Sequence, residues 1–128
     1  YPDGYRYQLN EESFSRQLCG TDRPGHFTGV LTVVMKLLNL VRPDRAYFGL
    51  KDFQQFTLIK DMCHTFFLPV EIVGCEIVRE TDGLAMSSRN QLLTDKGRQL
   101  AGSFNRLLVD AASDEHARRR RRRQRASP

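Results

Sequence analysis

Apolar residues recur along the chain at two spacings, and each spacing predicts a different kind of element. Between residues 26 and 41 they repeat at helical intervals over a wide face, which predicts a helix buried on much of its surface. Residues 46–48 form a short run typical of a strand, and helical spacing returns from residue 52 to about residue 67. A second strand is predicted at residues 70–73. Strand, helix and strand in this order predict a βαβ unit with two parallel strands.

The turn that joins the first strand to its helix is the part of this pattern best suited to an anion. Ligands of parallel sheets bind beyond the carboxyl ends of the strands, where N–H groups at a helix start favour phosphate or carboxylate. Lys51 adds a positive charge there, and Asp52 and Gln55 have the spacing of a capping box. The same three residues fit a second interpretation, in which they only cap the helix and face solvent.

Composition narrows the class of protein. The chain has 128 residues, of which 40% are hydrophobic, as expected for one domain or a fragment of a larger one. It has no apolar run long enough for a transmembrane helix and no secretory signal pattern, so we expect no membrane partner. Three widely spaced cysteines favour a reduced cytosolic compartment. Cys63 and Cys75 are interpreted as small buried apolar residues.

The last part of the chain differs in character from the rest. The formal net charge is +5, but seven arginines lie between residues 118 and 125, so the rest of the chain is mildly acidic. Like charges repel and no apolar residue anchors this segment, which predicts a disordered Arg-rich tail over residues 111–128. A cationic tail can bind nucleic acid. This one lacks interleaved aromatic residues, which favours an altered reading frame over a nucleic-acid-binding module.

Three stretches taken together resemble the pantothenate synthetase (pantoate–β-alanine ligase) family. They read RPGHFTGVLTVVMKLLNLV at 23–41, DRAYFGLKDFQQF at 44–56 and DGLAMSSRN at 82–90. The resemblance covers roughly residues 1–110. It implies an α/β fold, namely part of a Rossmann-like parallel sheet of the nucleotidyltransferase superfamily with flanking helices, followed by the start of a small C-terminal domain.

The resemblance also implies how the chain divides. Residues 1–78 would form the C-terminal half of the nucleotide-binding domain, and residues 79–110 the phosphate-loop segment and the start of the C-terminal domain. The family's N-terminal His-x-Gly-His-type region, with its phosphate-binding loop and catalytic His, has no counterpart in these residues. We therefore expect the isolated chain not to synthesise pantothenate.

The reaction implied by the resemblance has two steps. Pantoate attacks the α-phosphate of ATP, usually with Mg²⁺, and gives pantoyl adenylate and pyrophosphate; β-alanine then displaces AMP to form pantothenate. ATP and Mg²⁺ are the implied cofactors, pantoate and β-alanine the small-molecule substrates, and a cytoplasmic homodimer the implied assembly. One alternative is a non-catalytic nucleotide-binding remnant whose cationic tail binds nucleic acid. Another is a purely structural fragment.

The resemblance implies an ATP site built from two segments and one flanking residue. Its members are Gly49, Leu50, Lys51, Asp52, Val78, Met86, Ser87, Ser88 and Arg89. The side chains implied to act in catalysis on the phosphates are Lys51, Ser87, Ser88 and Arg89. Asp52 would meet the ribose hydroxyls, and the backbone of Val78 would touch the adenine.

A further set of residues is implied to bind the acidic substrate. Gln55 resembles the family's pantoate-binding Gln, whose amide both donates and accepts hydrogen bonds. Arg23 and His26 would lie near the carboxylate, which a guanidinium fork matches well. No side chain is predicted to ligate a metal. Leu50 departs from the family, which usually has Glu there; Leu is harmless if this position acts through its backbone and lowers affinity if a carboxylate orients Lys51.

Overall fold

A computed structural model describes residues 3–126 of the chain, with the side chains of residues 3–115. The chain divides into two compact units, Tyr1–Glu76 and Ile77–Pro128. This division lies close to the boundary expected after residue 78. The assignment of the two units to domains of a larger enzyme stays a prediction.

In the described part of the first unit, two parallel strands are joined through a helix. The helices are α1 (Cys19–Asp22), α2 (His26–Val41) and α3 (Phe53–Thr65), and the strands are β1 (Arg45–Gly49) and β2 (Glu71–Cys75). The register of the parallel strands places Arg45 opposite Glu71 and Gly49 opposite Cys75. The predicted βαβ unit is therefore confirmed.

The core of this unit lies between α2, α3 and one face of the two-stranded sheet. Leu31 of α2 and Ile59 of α3 are almost fully buried. The other buried apolar side chains are Phe27, Leu38, Leu58, Met62 and Cys63. Ala46, Phe48 and Ile72 of the strands pack against this cluster. Burial raises the pKa of the Cys63 thiol, which fits its predicted role as a small core residue.

Some apolar residues predicted to be buried are exposed. Leu40 on α2 is 81% exposed and Phe53 at the start of α3 is 61% exposed, although helical spacing places both near an apolar face. Cys75, the last residue of β2, is also exposed. Periodicity predicts which residues share a face, but burial also requires a neighbour, and the described residues place none over these positions.

The second unit consists of a turn, a short 3-10 segment and a long helix. A β-bridge between Arg79 and Ala85 closes the turn, the 3-10 segment spans Ser88–Leu92, and α4 spans Asp95–Ala126. Thr94 Oγ1 accepts a hydrogen bond from the N–H of Gly97 at 3.2 Å and so caps the first turn of α4. Four large apolar side chains of α4 are more than half exposed: Leu100, Phe104, Leu107 and Leu108.

The structure differs from the prediction of a disordered tail. α4 continues through residue 111 to Ala126, and only residues 127–128 of the predicted tail lie outside the described residues. Between residues 103 and 126 the sequence has no Gly or Pro and is rich in Ala and Arg, which are among the best helix formers. Helix propensity therefore accounts for the extension. None of the helices formed by the described residues is long and apolar enough to cross a membrane.

Candidate functional site

The turn between β1 and α3 places Lys51 at the carboxyl end of the parallel pair. β1 ends at Gly49, a 3-10 turn spans Leu50–Asp52, and α3 follows directly. Lys51 and Asp52 are exposed, and neither forms an ion pair with a described residue. A side chain at Gly49 would meet nothing within 4 Å, so the backbone of this turn is open to approach. The geometry suits an anion, as the sequence predicts.

Asp52 does not form the predicted capping box. It occupies the N-cap position of α3, but its side chain accepts no capping hydrogen bond. Its backbone, with φ −95° and ψ 59°, belongs to the end of the preceding 3-10 turn and lacks the extended conformation typical of a cap. The carboxylate is therefore not used by α3 and remains available to a ligand.

Leu50 turns its side chain back onto the sheet. A Cβ built at Gly74 of β2 would lie 2.8 Å from Leu50 Cδ2 and 3.3 Å from Phe56 Cε2, so Gly74 makes room for both side chains. Leu50 is half-buried as a result. At this position the side chain contributes to packing, and its backbone is the part that faces the turn.

Gln54 is a positioning residue that the sequence analysis missed. It is 6% exposed, and its side-chain amide forms hydrogen bonds with the backbone of the segment before α2. Its Nε2 donates to the carbonyl oxygens of Phe14 and Gln17, both at 2.7 Å, and its Oε1 accepts from the N–H of Cys19 at 3.1 Å. Its position four residues before the buried Leu58 was the available signal, because i and i+4 share a helix face.

Glu11 fixes the beginning of the segment that Gln54 holds. Its carboxylate accepts hydrogen bonds from the N–H groups of Ser13 at 2.9 Å, Phe14 at 3.2 Å and Ser15 at 2.5 Å. Partial burial raises the pKa of Glu11, but these donors, Ser15 first, outweigh burial and lower the pKa overall. The carboxylate therefore stays charged at neutral pH and orders the turn.

The same segment brings the starts of α2 and α3 to one end of the first unit. The backbone N–H of Cys19 donates a hydrogen bond to Gln54 at the start of α3. A Cβ built at the adjacent Gly20 would overlap the carbonyl oxygen of Ser15 and would lie 3.5 Å from Phe27, the second residue of α2. The close fit at Gly20 leaves room for hydrogen only. The predicted residues at the two helix starts therefore share this end of the unit.

Arg23, His26 and Gln55 lie at these two helix starts. Arg23 is exposed, and its carbonyl oxygen accepts the N–H of His26 at 3.1 Å. His26 is half-buried with its ring centroid 4.9 Å from that of Phe27. Gln55 is half-buried and follows Gln54, whose side-chain amide is already used in three hydrogen bonds. The structure therefore places the three residues predicted to bind the acidic substrate around one end of the first unit.

The second unit carries the serine loop, which we define as residues 85–90. The N–H of Met86 donates to the carbonyl of Val78 at 2.9 Å, so these two predicted nucleotide-binding residues are neighbours. Ser87 Oγ accepts the N–H of Arg89 at 3.2 Å, whereas Ser88 Oγ forms no hydrogen bond with a described residue. Met86, Ser87 and Ser88 line an open cavity of about 760 Å³.

Two carboxylates and one guanidinium surround the base of the serine loop. Arg98 of α4 lies 2.6 Å from the carboxylate of Glu80 and also pairs with Asp82. The amide of Asn90, followed by the guanidinium of Arg98, holds the pKa of Glu80 below its ordinary value. Hydrogen bonding to Arg98 likewise lowers the pKa of Asp82. The sequence analysis did not predict this network.

No group of three or more His, Cys, Asp or Glu side chains that could hold a metal ion forms among the described residues. Mg²⁺ in proteins commonly binds through substrate phosphates with only one or two carboxylates, so such a cluster is not a requirement for it.

Comparison with known proteins identifies the family. The family profile described as pantoate-beta-alanine ligase matches residues 1–127. The pantothenate synthetase of Bdellovibrio bacteriovorus is 52% identical over 117 residues, which are 91% of this chain and 47% of that protein. The enzyme of Pseudothermotoga lettingae is 56% identical over 108 residues, 84% of this chain and 38% of that protein. The chain thus spans less than half the length of these relatives.

Solved structures agree with the sequence comparison. The crystal structure of pantothenate synthetase from Thermus thermophilus matches with a TM-score of 0.84 and 43% identity, over 90% of this chain and 43% of that one. The pantoate-beta-alanine ligase of Francisella tularensis, crystallised with beta-gamma ATP and beta-alanine, matches with a TM-score of 0.77 and 40% identity, over 85% and 42%. The predicted α/β nucleotidyltransferase-type fold is confirmed. The chain belongs to the pantoate–β-alanine ligase (pantothenate synthetase) family.

Proposed function

We propose that this chain supplies part of an ATP-dependent ligase that joins pantoate to β-alanine through pantoyl adenylate. The observation that supports this most directly is the β1–α3 turn. It sets Lys51, which has no ion pair with a described residue, at the carboxyl end of a parallel strand pair and at the start of a 13-residue helix. Both features favour the phosphates of a nucleotide.

The first unit binds the sugar–phosphate part of ATP and the pantoate. Lys51 neutralises phosphate charge, Asp52 receives the ribose hydroxyls, and Gly49 and Leu50 contribute their backbone. The inward packing of Leu50 against Gly74 supports this, because a residue used through its backbone tolerates the change from Glu. Gln55 binds pantoate from the start of α3.

Arg23 and His26 complete the pantoate site from the start of α2. The guanidinium matches a carboxylate with two parallel hydrogen bonds. The half-buried imidazole of His26 lies at the N-terminal end of α2 and supplies a hydrogen-bonding group there. The pantoate carboxylate would thus be held at the end of the unit where Lys51 binds the phosphates.

The second unit binds the pyrophosphate part of ATP, which leaves in the first step. Ser87, Ser88 and Arg89 bind the phosphate oxygens, Met86 lines the same cavity, and the backbone of Val78 contacts the adenine. In the first step the pantoate carboxylate forms a bond to the α-phosphorus while the bond to pyrophosphate breaks. These donors stabilise the negative charge that moves onto pyrophosphate. In the second step the β-alanine amine attacks the acyl carbon, AMP leaves, and the amine loses a proton.

The 128 residues bind ATP but do not complete the reaction. The family's His-x-Gly-His-type region has no counterpart in the sequence. The complete enzyme would be a cytoplasmic homodimer, as the resemblance implies. The test is pyrophosphate release from ATP, pantoate and Mg²⁺: we expect none above background from this chain, and robust turnover would contradict the proposal.

Calorimetric titration with ATP tests whether the chain binds the nucleotide through Lys51. We expect Lys51→Ala to weaken ATP binding about tenfold, the effect of losing one charge-assisted hydrogen bond to phosphate. Lys96→Ala is the matched control, because Lys96 is an exposed lysine on α4 without an ion pair to a described residue. Equal affinities of the two variants would contradict the role of Lys51.

A second candidate function rests on the arginine-rich end of α4. Seven arginines between residues 118 and 125 on a helix would present a dense positive charge to nucleic acid. A salt-dependent shift of duplex DNA that disappears when residues 117–128 are deleted would favour this function. The absence of any shift would remove it.

A further inference from the structure

The serine loop is held at both ends by one residue. Asn90 Nδ2 donates to the carbonyl oxygen of Ala85 at 3.1 Å and to Glu80 Oε1 at 2.7 Å. The N–H of Asn90 donates to the carbonyl oxygen of Ser87 at 3.0 Å. Residues 85 and 90 are thus tied together, and the two serines project from a closed turn.

Arg98 connects this closed turn to α4. Its Nη2 donates to Glu80 Oε2 at 2.6 Å, and its Nη1 donates to the carboxylate of Asp82. Asp82 in turn accepts the N–H of Leu84 at 3.1 Å, just before the loop. Glu80 therefore uses one oxygen for Asn90 and the other for Arg98. A continuous chain of charge-assisted hydrogen bonds runs from α4 to the serine loop.

The guanidinium of Arg98 is already paired with the carboxylates of Glu80 and Asp82. It lines the same cavity as Ser87 and Ser88, but both of its terminal nitrogens bond to carboxylates. Arg98 is about one-third exposed, so these ion pairs are partly shielded from solvent. Ser88 Oγ, in contrast, forms no hydrogen bond with a described residue. Arg98, with both terminal nitrogens bonded, is therefore suited to position the loop, and Ser88 is suited to bind the ligand.

We infer that Arg98 is a positioning residue for ATP binding, which orients the serine pair through Glu80 and Asn90. The inference rests on the proposed function, since it assigns the serine pair to the nucleotide. Without Arg98, Glu80 and Asp82 repel each other at the base of the loop. Asn90 then loses an ordered acceptor, and the serine hydroxyls sample more orientations.

The first arm of the test needs no nucleotide. Hydrogen exchange at the amides of residues 86–89 is measured in the 128-residue chain, in Arg98→Ala and in Arg106→Ala. Arg106 is an exposed arginine of the same helix without an ion pair to a described residue, so its variant removes the same charge. We expect severalfold faster exchange in Arg98→Ala, an intermediate rate in Arg98→Lys, and no change in Arg106→Ala. Equal exchange in Arg98→Ala and Arg106→Ala overturns the inference.

The second arm separates positioning from general stability. ATP dissociation constants are measured for the original chain, Ser88→Ala, Arg98→Ala and the double variant. If Arg98 acts through the serine pair, its loss weakens binding about fivefold to tenfold with Ser88 present and less than twofold with Ser88 replaced, since coupled residues are non-additive. Equal losses in both backgrounds overturn the inference.

Two outcomes distinguish this inference from the proposed function. If the original chain does not bind ATP, the proposed function is contradicted, and exchange alone decides whether Arg98 orders the loop. If Arg98→Ala does not fold, Glu80→Gln replaces it, because this change keeps the side-chain shape and removes the charge that Arg98 binds. Faster loop exchange in Glu80→Gln supports the inference, and unchanged exchange overturns it.

Discussion

The two units hold their candidate residues by different forces. In the first unit an apolar core around Leu31 and Ile59 and the buried amide of Gln54 fix the end that carries the starts of α2 and α3. The carboxylate of Glu11 orders only the turn that precedes them. In the second unit the serine loop is fixed by ion pairs of Arg98 that remain partly exposed to solvent. Buried apolar contacts and neutral hydrogen bonds depend little on pH, whereas carboxylate pairs depend on it strongly.

The type of anchoring determines how rigid each of the two candidate segments is. A turn anchored to a packed core keeps its geometry whether or not a ligand is bound. A loop anchored by partly exposed ion pairs is more easily loosened, because water and salt compete for the same charges. We therefore expect the first unit to provide a preformed anion site. The second unit provides a loop whose order depends on pH and ionic strength.

The largest expected effect comes from the core of the first unit. Ile59→Ala removes a fully buried side chain between α3 and the sheet, and we expect a loss of about 3–4 kcal/mol in the free energy of unfolding. Leu100→Ala, at a 64% exposed position of α4, should change it by less than about 0.5 kcal/mol. Denaturant unfolding of both variants measures this. Similar losses in the two would show that the core does not dominate.

A smaller effect is expected at the buried amide. Gln54→Ala leaves the carbonyl oxygens of Phe14 and Gln17 and the N–H of Cys19 without their partner, and we expect a loss of about 2–3 kcal/mol. Hydrogen exchange should rise at residues 14–19 in particular. Gln55→Ala is the matched control and should leave this segment protected. Equal protection in both variants would refute the positioning role of Gln54.

The smallest effect is expected from acid. Glu80 and Asp82 have lowered pKa values in the folded chain, so they contribute stability fully above the ordinary values of 4.5 and 3.8. That contribution is lost as the pH falls through their lowered pKa values. Hydrogen exchange, corrected for its intrinsic pH dependence, should therefore increase at the serine loop before it increases in α2 and α3. The turn capped by Glu11, whose pKa is also lowered, should loosen over the same acidic range.

Glu80→Gln provides the control for this acid effect. The variant removes one of the two titrating groups, so its loop should be looser at neutral pH and change less on acidification. A loop that stays protected at a pH where the carboxylates are protonated would mean that ion pairs do not hold it. The proposed contrast between the two units would then fail.

Local patterns in the sequence predicted the first unit well. The helical spacing of residues 26–41 and the strand, helix and strand that follow correspond to α2, β1, α3 and β2. These elements follow from short-range periodicity, which a single sequence displays. The position of Lys51 at the turn could be predicted for the same reason.

Features that depend on distant residues could not be predicted in this way. Gln54 finds its partners about 35 to 40 residues earlier in the chain, and Arg98 finds Glu80 18 residues earlier. No local pattern shows such pairings. Asp52 had the right spacing for a cap, but the 3-10 turn before α3 determined its backbone conformation. The charge of the arginine run predicts disorder, whereas its high helix propensity favours the helix that the structure shows.

The main proposal to test is that the β1–α3 turn binds the phosphates of ATP through Lys51. The measurement is an ATP titration of the 128-residue chain followed by the amide NMR signals of Gly49 and Lys51. We predict that both signals shift with one dissociation constant, and that Lys51→Ala weakens the response at Gly49 whereas Lys96→Ala does not. No shift at either residue, or equal affinities of the two variants, would contradict the proposal.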